Sequence, residues 1–457
     1  ALQEGEVQIG LICSEKQAID ATLQNLAAED SRFCPVADRY WNARGGSSSD
    51  GGAFLFTVKD SGKGDGSKTL VCTNKFGETV RTSSNQTHYR PAAVTTLPAA
   101  EYKGAQVLRD LGSMSTLDIK ENCVKNMPIW DYAALERMCG ALCTYAQGDD
   151  ESKARAIEVL THLNDRYCDT GGKKRSSVLA LVRGALAHIF AATPRLDHHA
   201  VSRYRLIDRT SRASLRPPRP GEGILVLNAR NFPPEGDECD ARLICAAFEL
   251  GWKQFICYGY RGQRFLGCGL GKSSDGVRID VYDSSGDYLA SGIDGMEIHV
   301  HGNAQDQLGQ IMKRGKLVVY GDVGQTFMYG AKGGEVYVMG NAAGRPLINA
   351  VGYPRVVING TCLDYLAESF MAGDPLNGGG FVILNGVHFD NTGKVVGLKN
   401  PYPGSNLFSL ASGGAIYVRD PQRKVVEEQL NGGTIVDIST ADWRLIRPYL
   451  EENERLF

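Results

Sequence analysis

None of the twelve cysteines forms a C-x-x-C pair, which removes the commonest cluster and metal frameworks. Ferredoxin-type clusters need several closely spaced thiolates. Structural zinc sites need one C-x2–4-C element and a second to complete it. Cys139 and Cys143 stand at helical i,i+4 spacing and Cys239 and Cys245 lie close by, but neither pair has a second pair beside it. Most of the thiols are therefore expected as small buried hydrophobes in a reducing compartment. Long apolar runs are also missing. The longest, VLALVRGALAHIFAA (178–192), is interrupted by Arg183 and His188 and is too short for a membrane span. The opening residues ALQEGEVQIG have no basic n-region and no apolar h-region, so the expectation is a cytoplasmic protein. Charge of one sign is lacking: a net charge of −2 gives no reason to expect nucleic acid or an acidic membrane. RGGSSSDGG (44–52) lacks the lysine and following helix of a phosphate loop and reads as a flexible loop, while GKGDGSK (62–68) reads as a hairpin connection.

What the chain has in excess is glycine, 54 residues or about 12% against a usual ~7%. The surplus gathers between about Phe255 and Asp390, where one phrase returns: MEIHVHGNAQDQLG (296–309), KLVVYGDVGQTFMYG (316–330), EVYVMGNAAGRPL (335–347), RVVINGTCLDYLAE (355–368) and FVILNG (381–386). The glycine after each apolar run falls at Gly302, Gly321, Gly340 and Gly360, at intervals of 19, 19 and 20 residues, stretching to 26 at Gly386. A fixed period of this size marks a stacked repeat. Ankyrin, tetratricopeptide and propeller units are longer, and a leucine ladder is absent. Short runs of Val, Ile and Tyr suit strands. The glycine then permits a sharp corner through positive φ, and the following Asn or Asp can bond its own backbone. Gly259, Gly302, Gly321, Asp322, Gly340, Asn341, Gly360 and Gly386 are the expected repeat corners. Strand, corner and second segment every ~20 residues describe the rungs of a parallel β-helix. Fainter echoes at 255–269, 279–292 and 413–420 extend it at both ends.

GYRGQRFLG, YGDVGQTFMYG, MGNAAGRPL and NGTCLDYLAESFMAG resemble the GXGXG β-helix domain that closes the large subunit of glutamate synthase. DECDARLICAAFELGWKQF (237–255) is similar to the short helix before that domain's first rung. The resemblance covers roughly residues 222–395. A relative of the same β-helix serves as a subunit of formylmethanofuran dehydrogenase. In both settings the domain is a right-handed parallel β-helix that holds neighbouring catalytic domains apart, and that role is what the resemblance implies here.

Five regions are expected. Residues 1–120 read as a mixed α/β unit, with strands EVQIGLIC (6–13) and AFLFTVKD (53–60), a helix AIDATLQNLAAED (18–30) and a hairpin-like pair within 62–80. An N-terminal-nucleophile amidotransferase, whose domain adjoins the β-helix in glutamate synthase, needs a cysteine at the mature N-terminus. Ala1 stands there, and the first cysteine is Cys13. Residues 121–200 read as a bundle of three helices, 129–147, 150–168 and 174–192, with Asp131 suited to a helix N-terminus. Residues 201–222, which contain RYRLIDRTSRASLRPPRPGE, read as a stiff Arg/Pro linker or a docking arm. The β-helix spans 223–435, and 436–457 is a terminal helix that caps or docks beside the stack.

The repeat offers shape and little chemistry. His299 and His301 face one side of a strand, but Val319, Tyr337 and Val357 stand where neighbouring rungs would supply another ligand, so a structural role is expected. His162 and His188 read as core-edge residues, and the adjacent His198 and His199 point apart. No catalytic, cofactor-binding or metal residue is assigned. The expected function is a scaffold subunit of a glutamate synthase-like oxidoreductase complex, with amidotransferase, FMN or FAD and iron–sulfur parts on partner chains. The alternatives are the β-helix subunit of a formylmethanofuran dehydrogenase-type complex, and a stand-alone enzyme using the N-terminal half.

Overall fold

The computed structural model describes residues 7–8, 55–60, 68–73, 79 and 111–457. The chain divides into two compact units, Ala1–Tyr102 and Lys103–Phe457. In the first, β1 (Val7–Gln8), β2 (Leu55–Asp60) and β3 (Lys68–Thr73) form an antiparallel sheet in that order. The expected helix at 18–30 and loop at 44–52 lie outside the described residues.

The second unit begins with four helices, one more than expected: α1 (Thr116–Asn126), α2 (Tyr132–Tyr145), α3 (Asp150–Asp165) and α4 (Arg175–Ala191). Each of the first three starts on a side-chain cap. Ser115 and Asp118 form a reciprocal capping box, Asp131 accepts from the amide of Ala134 at 2.7 Å, and Asp149 accepts from that of Ser152 at 2.7 Å. Leu135, Met138, Leu142, Leu160, Val182 and Leu186 lie on their buried faces, which ties the helical spacing to a common core.

Beyond the helices runs a ten-stranded sheet whose strands are all parallel and pair in the order of the chain. They are β4 (Tyr204–Asp208), β5 (Ile224–Asn228), β6 (Gln254–Tyr258), β7 (Arg278–Val281), β8 (Asp294–Val300), β9 (Arg314–Val319), β10 (Glu335–Val338), β11 (Arg355–Ile358), β12 (Phe381–Leu384) and, after a hairpin of β13 (Val387–Phe389) and β14 (Val395–Gly397), β15 (Ala415–Val418). The register stacks like on like: Ile207, Leu227, Cys257, Val281, Val300, Val319, Val338, Ile358, Leu384 and Val418 form one row. A one-residue slip would turn every side chain of that row to the opposite face. The row is part of the main core, and each fully buried aliphatic in it is worth roughly 2 kcal/mol of burial. The connections stack as well, through parallel bridges Ala304–Val323–Ala342–Cys362 and Val351–Met371.

Two expectations change. The segment taken for a linker supplies β4, the first strand: Arg205 is fully buried, with its guanidinium bonded to carbonyls of Arg195, His198 and Ala200. Arg216 pairs with Glu222 through two hydrogen bonds at 2.6 and 2.8 Å. Arginines of this segment thus find carbonyls and the carboxylates of Glu222 and Glu238 within the chain. The helix α5 (Asp240–Glu249) is present as expected, but β4 and β5 precede it.

The outward face of the sheet is covered twice. The C-terminal helix α6 (Thr440–Leu456) lays Ile446 and Leu456 against Val318, Tyr337, Val357 and Ile383. Asn453 and Asn359 exchange amide hydrogen bonds of 2.9 and 3.1 Å. Beside β6 and β7 the cover is α4 instead, with Phe190 packed on Tyr258 and Tyr282.

Candidate functional site

The expected corner glycines fall into two groups. Gly259 and Gly386 have φ of +78° and +58°. Gly302, Gly321, Gly340 and Gly360 are absent from the positive-φ set. The demand at the last three of these is close approach. A Cβ on Gly321 would lie 2.7 Å from the carbonyl oxygen of Gly302, one on Gly340 2.8 Å from that of Gly321, and one on Gly360 2.7 Å from that of Gly340. Nor do Asp322 and Asn341 bond their own backbone. Asn303 Oδ1 accepts from the amide of Asp322 at 3.0 Å, Asp322 Oδ1 from that of Asn341 at 2.7 Å, and Asn341 Oδ1 from that of Thr361 at 3.0 Å. Each corner side chain satisfies the amide of the next turn, so the corner is a ladder.

A second regularity escaped the sequence reading. Gly267, Gly269 and Gly271, in Gly-Cys-Gly-Leu-Gly, have φ of +77°, +88° and +72°. The same left-handed alternation recurs in later turns with larger side chains, in Tyr288, Ala290 and Gly292, then Gln307, Gly309 and Ile311, then Thr326, Met328 and Gly330, then Arg345, Leu347 and Asn349, then Tyr365, Ala367 and Ser369. Amides alternate between turns: Met328 donates back to Leu308 at 2.8 Å, while Thr326 and Gly330 donate forward to Gly344 and Ile348 at 3.0 and 2.8 Å. Left-handed conformation costs roughly 1–2 kcal/mol for each non-glycine residue, and the turn-to-turn bonds hold these in it. The one sequence signal was the G-x-G-x-G at 267–271; elsewhere the side chains conceal it.

The most concentrated chemistry lies where α3 meets the sheet. Register places His299 beside Asp280 and Val318, so Val318 and not Val319 is its neighbour. His301 follows β8 and is buried, with Nδ1 2.8 Å from Asp165 Oδ2 and Nε2 3.1 Å from Asp280 Oδ1. Its ring stacks between Tyr282, at 4.4 Å between centroids, and Tyr320, at 5.3 Å. A histidine with a carboxylate at both nitrogens is an imidazolium. Burial opposes the charge, but Asp165 and Asp280 outweigh it and push His301 up to about 9. Burial likewise disfavours the Asp280 carboxylate, yet His301 and Arg278 hold it well below the usual range. His299 behaves oppositely: burial lowers it, only partly offset by Glu297 at 2.5 Å.

Arg278 joins Asp280 and Glu297 at 2.8 and 3.0 Å. Asn164 donates to the carbonyl of His301 at 2.9 Å and receives Arg183 at 2.7 Å. The recess beside His301, walled by Asn164, Arg183, Phe190, Tyr258 and Tyr282, measures about 10 Å³. That is room for one water. The cluster therefore clamps the helical layer onto the sheet through Asp165, Asn164 and Arg183.

Among the described residues no three His, Cys, Asp or Glu side chains gather to hold a metal ion, and no helix is long and apolar enough to cross a membrane. Cys123, Cys139, Cys143, Cys168, Cys239, Cys245, Cys257, Cys268 and Cys362 are free thiols, and burial pushes Cys123, Cys139 and Cys268 up to about 12. His162 is lowered to about 4 by burial.

Comparison with known proteins adds three findings. The family model described as GXGXG motif matches residues 260–452. An uncharacterized protein of Methanocaldococcus jannaschii is 32% identical over 206 residues, which cover 44% of this chain and 72% of that protein. No solved structure matches.

Proposed function

The chain belongs to the GXGXG motif family, and from that membership we propose that its stacked region is a right-handed parallel β-helix acting as a scaffold subunit in a glutamate synthase-like oxidoreductase complex. The observation carrying the proposal is the coincidence of the family match with the region hydrogen-bonded turn to turn by strands, corner ladder and left-handed alternation. Such a stack resists bending and twisting, because every turn is bonded to both neighbours. On this reading the catalytic parts, an amidotransferase and chains carrying FMN or FAD and iron–sulfur clusters, sit on partner subunits in the cytoplasm. This chain spaces them and walls the passage between them.

The test is purification of the intact native complex. Flavin and iron–sulfur absorbance on co-purifying chains, with glutamine-dependent glutamate formation that falls when this chain is depleted and returns when it is added back, supports the reading. A molybdenum or tungsten pterin in place of flavin moves the protein to a formylmethanofuran dehydrogenase-type complex. Turnover by the isolated chain makes it an enzyme in its own right.

A further inference from the structure

Four asparagine–glycine pairs occur in the sequence: Asn359–Gly360, Asn377–Gly378, Asn385–Gly386 and Asn431–Gly432. At such a pair a chain can attack itself. The glycine nitrogen, with no side chain beside it, can reach the asparagine Cγ and close a five-membered ring. The attack needs a nitrogen that is free and a chain that can turn. In three of the pairs the nitrogen is held. Gly360 donates to the carbonyl of Gly340 at 2.9 Å, Gly386 to that of Gly360 at 3.1 Å and Gly378 to that of Pro375 at 3.3 Å. Asn359 is also buried. Asn377 Nδ2 is fastened to Asp374 at 2.6 Å, in a turn whose next two amides, of Gly379 and Gly380, donate to the carbonyls of Asp374 and Ala372.

The fourth pair differs. Asn431 and Gly432 are both exposed, and a Cβ on Gly432 would meet nothing within 4 Å. Among the described residues no backbone amide from Gly432 to Ile438 donates a hydrogen bond. The next one held is that of Ser439, bonded to Asp442 at 2.9 Å where α6 begins. Up to Asn431 the chain is fixed. Leu430 bridges to Leu407, the Asn431 amide donates to the Leu407 carbonyl at 3.0 Å, and Asn431 Nδ2 donates to Asn406 Oδ1 at 3.0 Å. The boundary between the last bonded turn and the free tether to α6 thus falls on the peptide bond between Asn431 and Gly432.

We propose that Asn431–Gly432 is a self-modification site, at which the folded chain converts asparagine to aspartate and isoaspartate with age. Base removes the Gly432 amide proton, and the nitrogen bonds to Cγ of Asn431 while the Cγ–Nδ2 bond breaks and ammonia leaves. Water then opens the succinimide at either carbonyl, which gives an aspartate in the ordinary backbone or a β-linked one. Either product replaces the amide that donates to Asn406 with a carboxylate that only accepts, so that oxygen faces oxygen. The β-linked form also lengthens the main chain by a methylene at the point where the tether leaves. Both changes loosen the close of the final turn and the root of the tether that carries α6.

The test is peptide mapping by mass spectrometry of the full chain aged in mildly alkaline buffer, beside the same chain aged in urea. In urea all four pairs should convert. In the folded chain Asn431 should convert at least about fivefold faster than Asn359, Asn377 or Asn385, the margin that one retained hydrogen bond gives. It should convert more slowly in mildly acidic buffer. Amide exchange at Leu407 and Asn431 should quicken with age in the wild type and be fast from the outset in Asn431→Asp, whereas in Asn431→Gln it should not change with age. A folded chain that keeps Asn431 intact while the urea-treated chain loses it, or that converts all four at one rate, would overturn the proposal. So would wild-type exchange that ignores age.

Discussion

Nδ1 of His301 and Oδ2 of Asp165 lie 2.8 Å apart, joining the chain just past β8 to the last residue of α3 across 136 residues of sequence. The bond is buried and accompanied by a second carboxylate, Asp280, at the opposite ring nitrogen. Its consequences are thermodynamic.

An imidazole raised to about 9 in the folded state and ordinary in the unfolded state favours folding most below its unfolded value of about 6.5. That contribution should fade as pH rises from about 6.5 through 9, by at most about 3 kcal/mol. Urea unfolding midpoints between pH 6 and 10 measure it. The slope should disappear in His301→Phe, and its persistence there would assign the effect to another group.

Removing Asp165 leaves His301 one carboxylate short in a buried place. Asp165→Ala should lower stability by about 3 kcal/mol, and the His301 titration followed by NMR should move downward. A histidine signal that does not shift would mean that Asp280 alone sets the charge.

The corner ladder predicts a contrast between two glycines that both open a Gly-Asn-Ala sequence. Gly340→Ala drives a Cβ against the carbonyl of Gly321 and the carboxylate of Asp322 and should cost about 2 kcal/mol or more. Gly302→Ala meets nothing nearer than 3.5 Å and should be within about 0.5 kcal/mol of the wild type. Equal losses at both positions in chemical denaturation would refute close approach as the reason for these glycines.

Asp322 accepts from the Asn341 amide of the next turn, so Asp322→Ala should cost about 1 kcal/mol. Asp322→Asn should retain most of that, because Asn303 and Asn341 already perform the same task in adjacent turns. Thermal melting of the pair decides it.

Ile311 holds φ of +49° where the preceding and following turns use Gly292 and Gly330. Ile311→Gly should raise stability by up to about 1 kcal/mol, since a β-branched residue there carries left-handed strain. A loss would show that its half-exposed side chain contributes more through packing than it costs in conformation.

The sheet was legible from 255 onward because buried parallel strands demand dense Val, Ile and Tyr runs, and the expected echoes at 255–269, 279–292 and 413–420 hold β6, β7 and β15. Strand β4 was hidden because Arg205 occupies an interior position that a binary pattern assigns to an apolar residue. The left-handed alternation was hidden because Met328, Leu347 and Thr326 take a conformation their side chains disfavour, which no propensity scale anticipates. The role of His301 was half visible. The sequence reading set it beside His299 on one strand, but β8 ends at Val300, and its partner Asp165 comes from a helix with no sequence relation to the repeat. The corner glycines were found for their spacing: Gly259 and Gly386 take the positive φ expected of them, while Gly321, Gly340 and Gly360 answer to close approach instead, and both demands leave the same residue behind.

Because the ten strands pair in chain order, each layer of the stack answers only to the layers before and after it. Growth of structure during folding can therefore travel as a front along the chain, with little searching between distant segments. The β13–β14 hairpin shows how tolerant that arrangement is: it leaves the stack after β12 at Val387 and ends at Gly397, yet β15 still pairs in register with β12. Lengthening by one whole layer would keep the register of every row, with α6 re-seated where it crosses β9 to β12, whereas deleting part of a layer would shear every row at once.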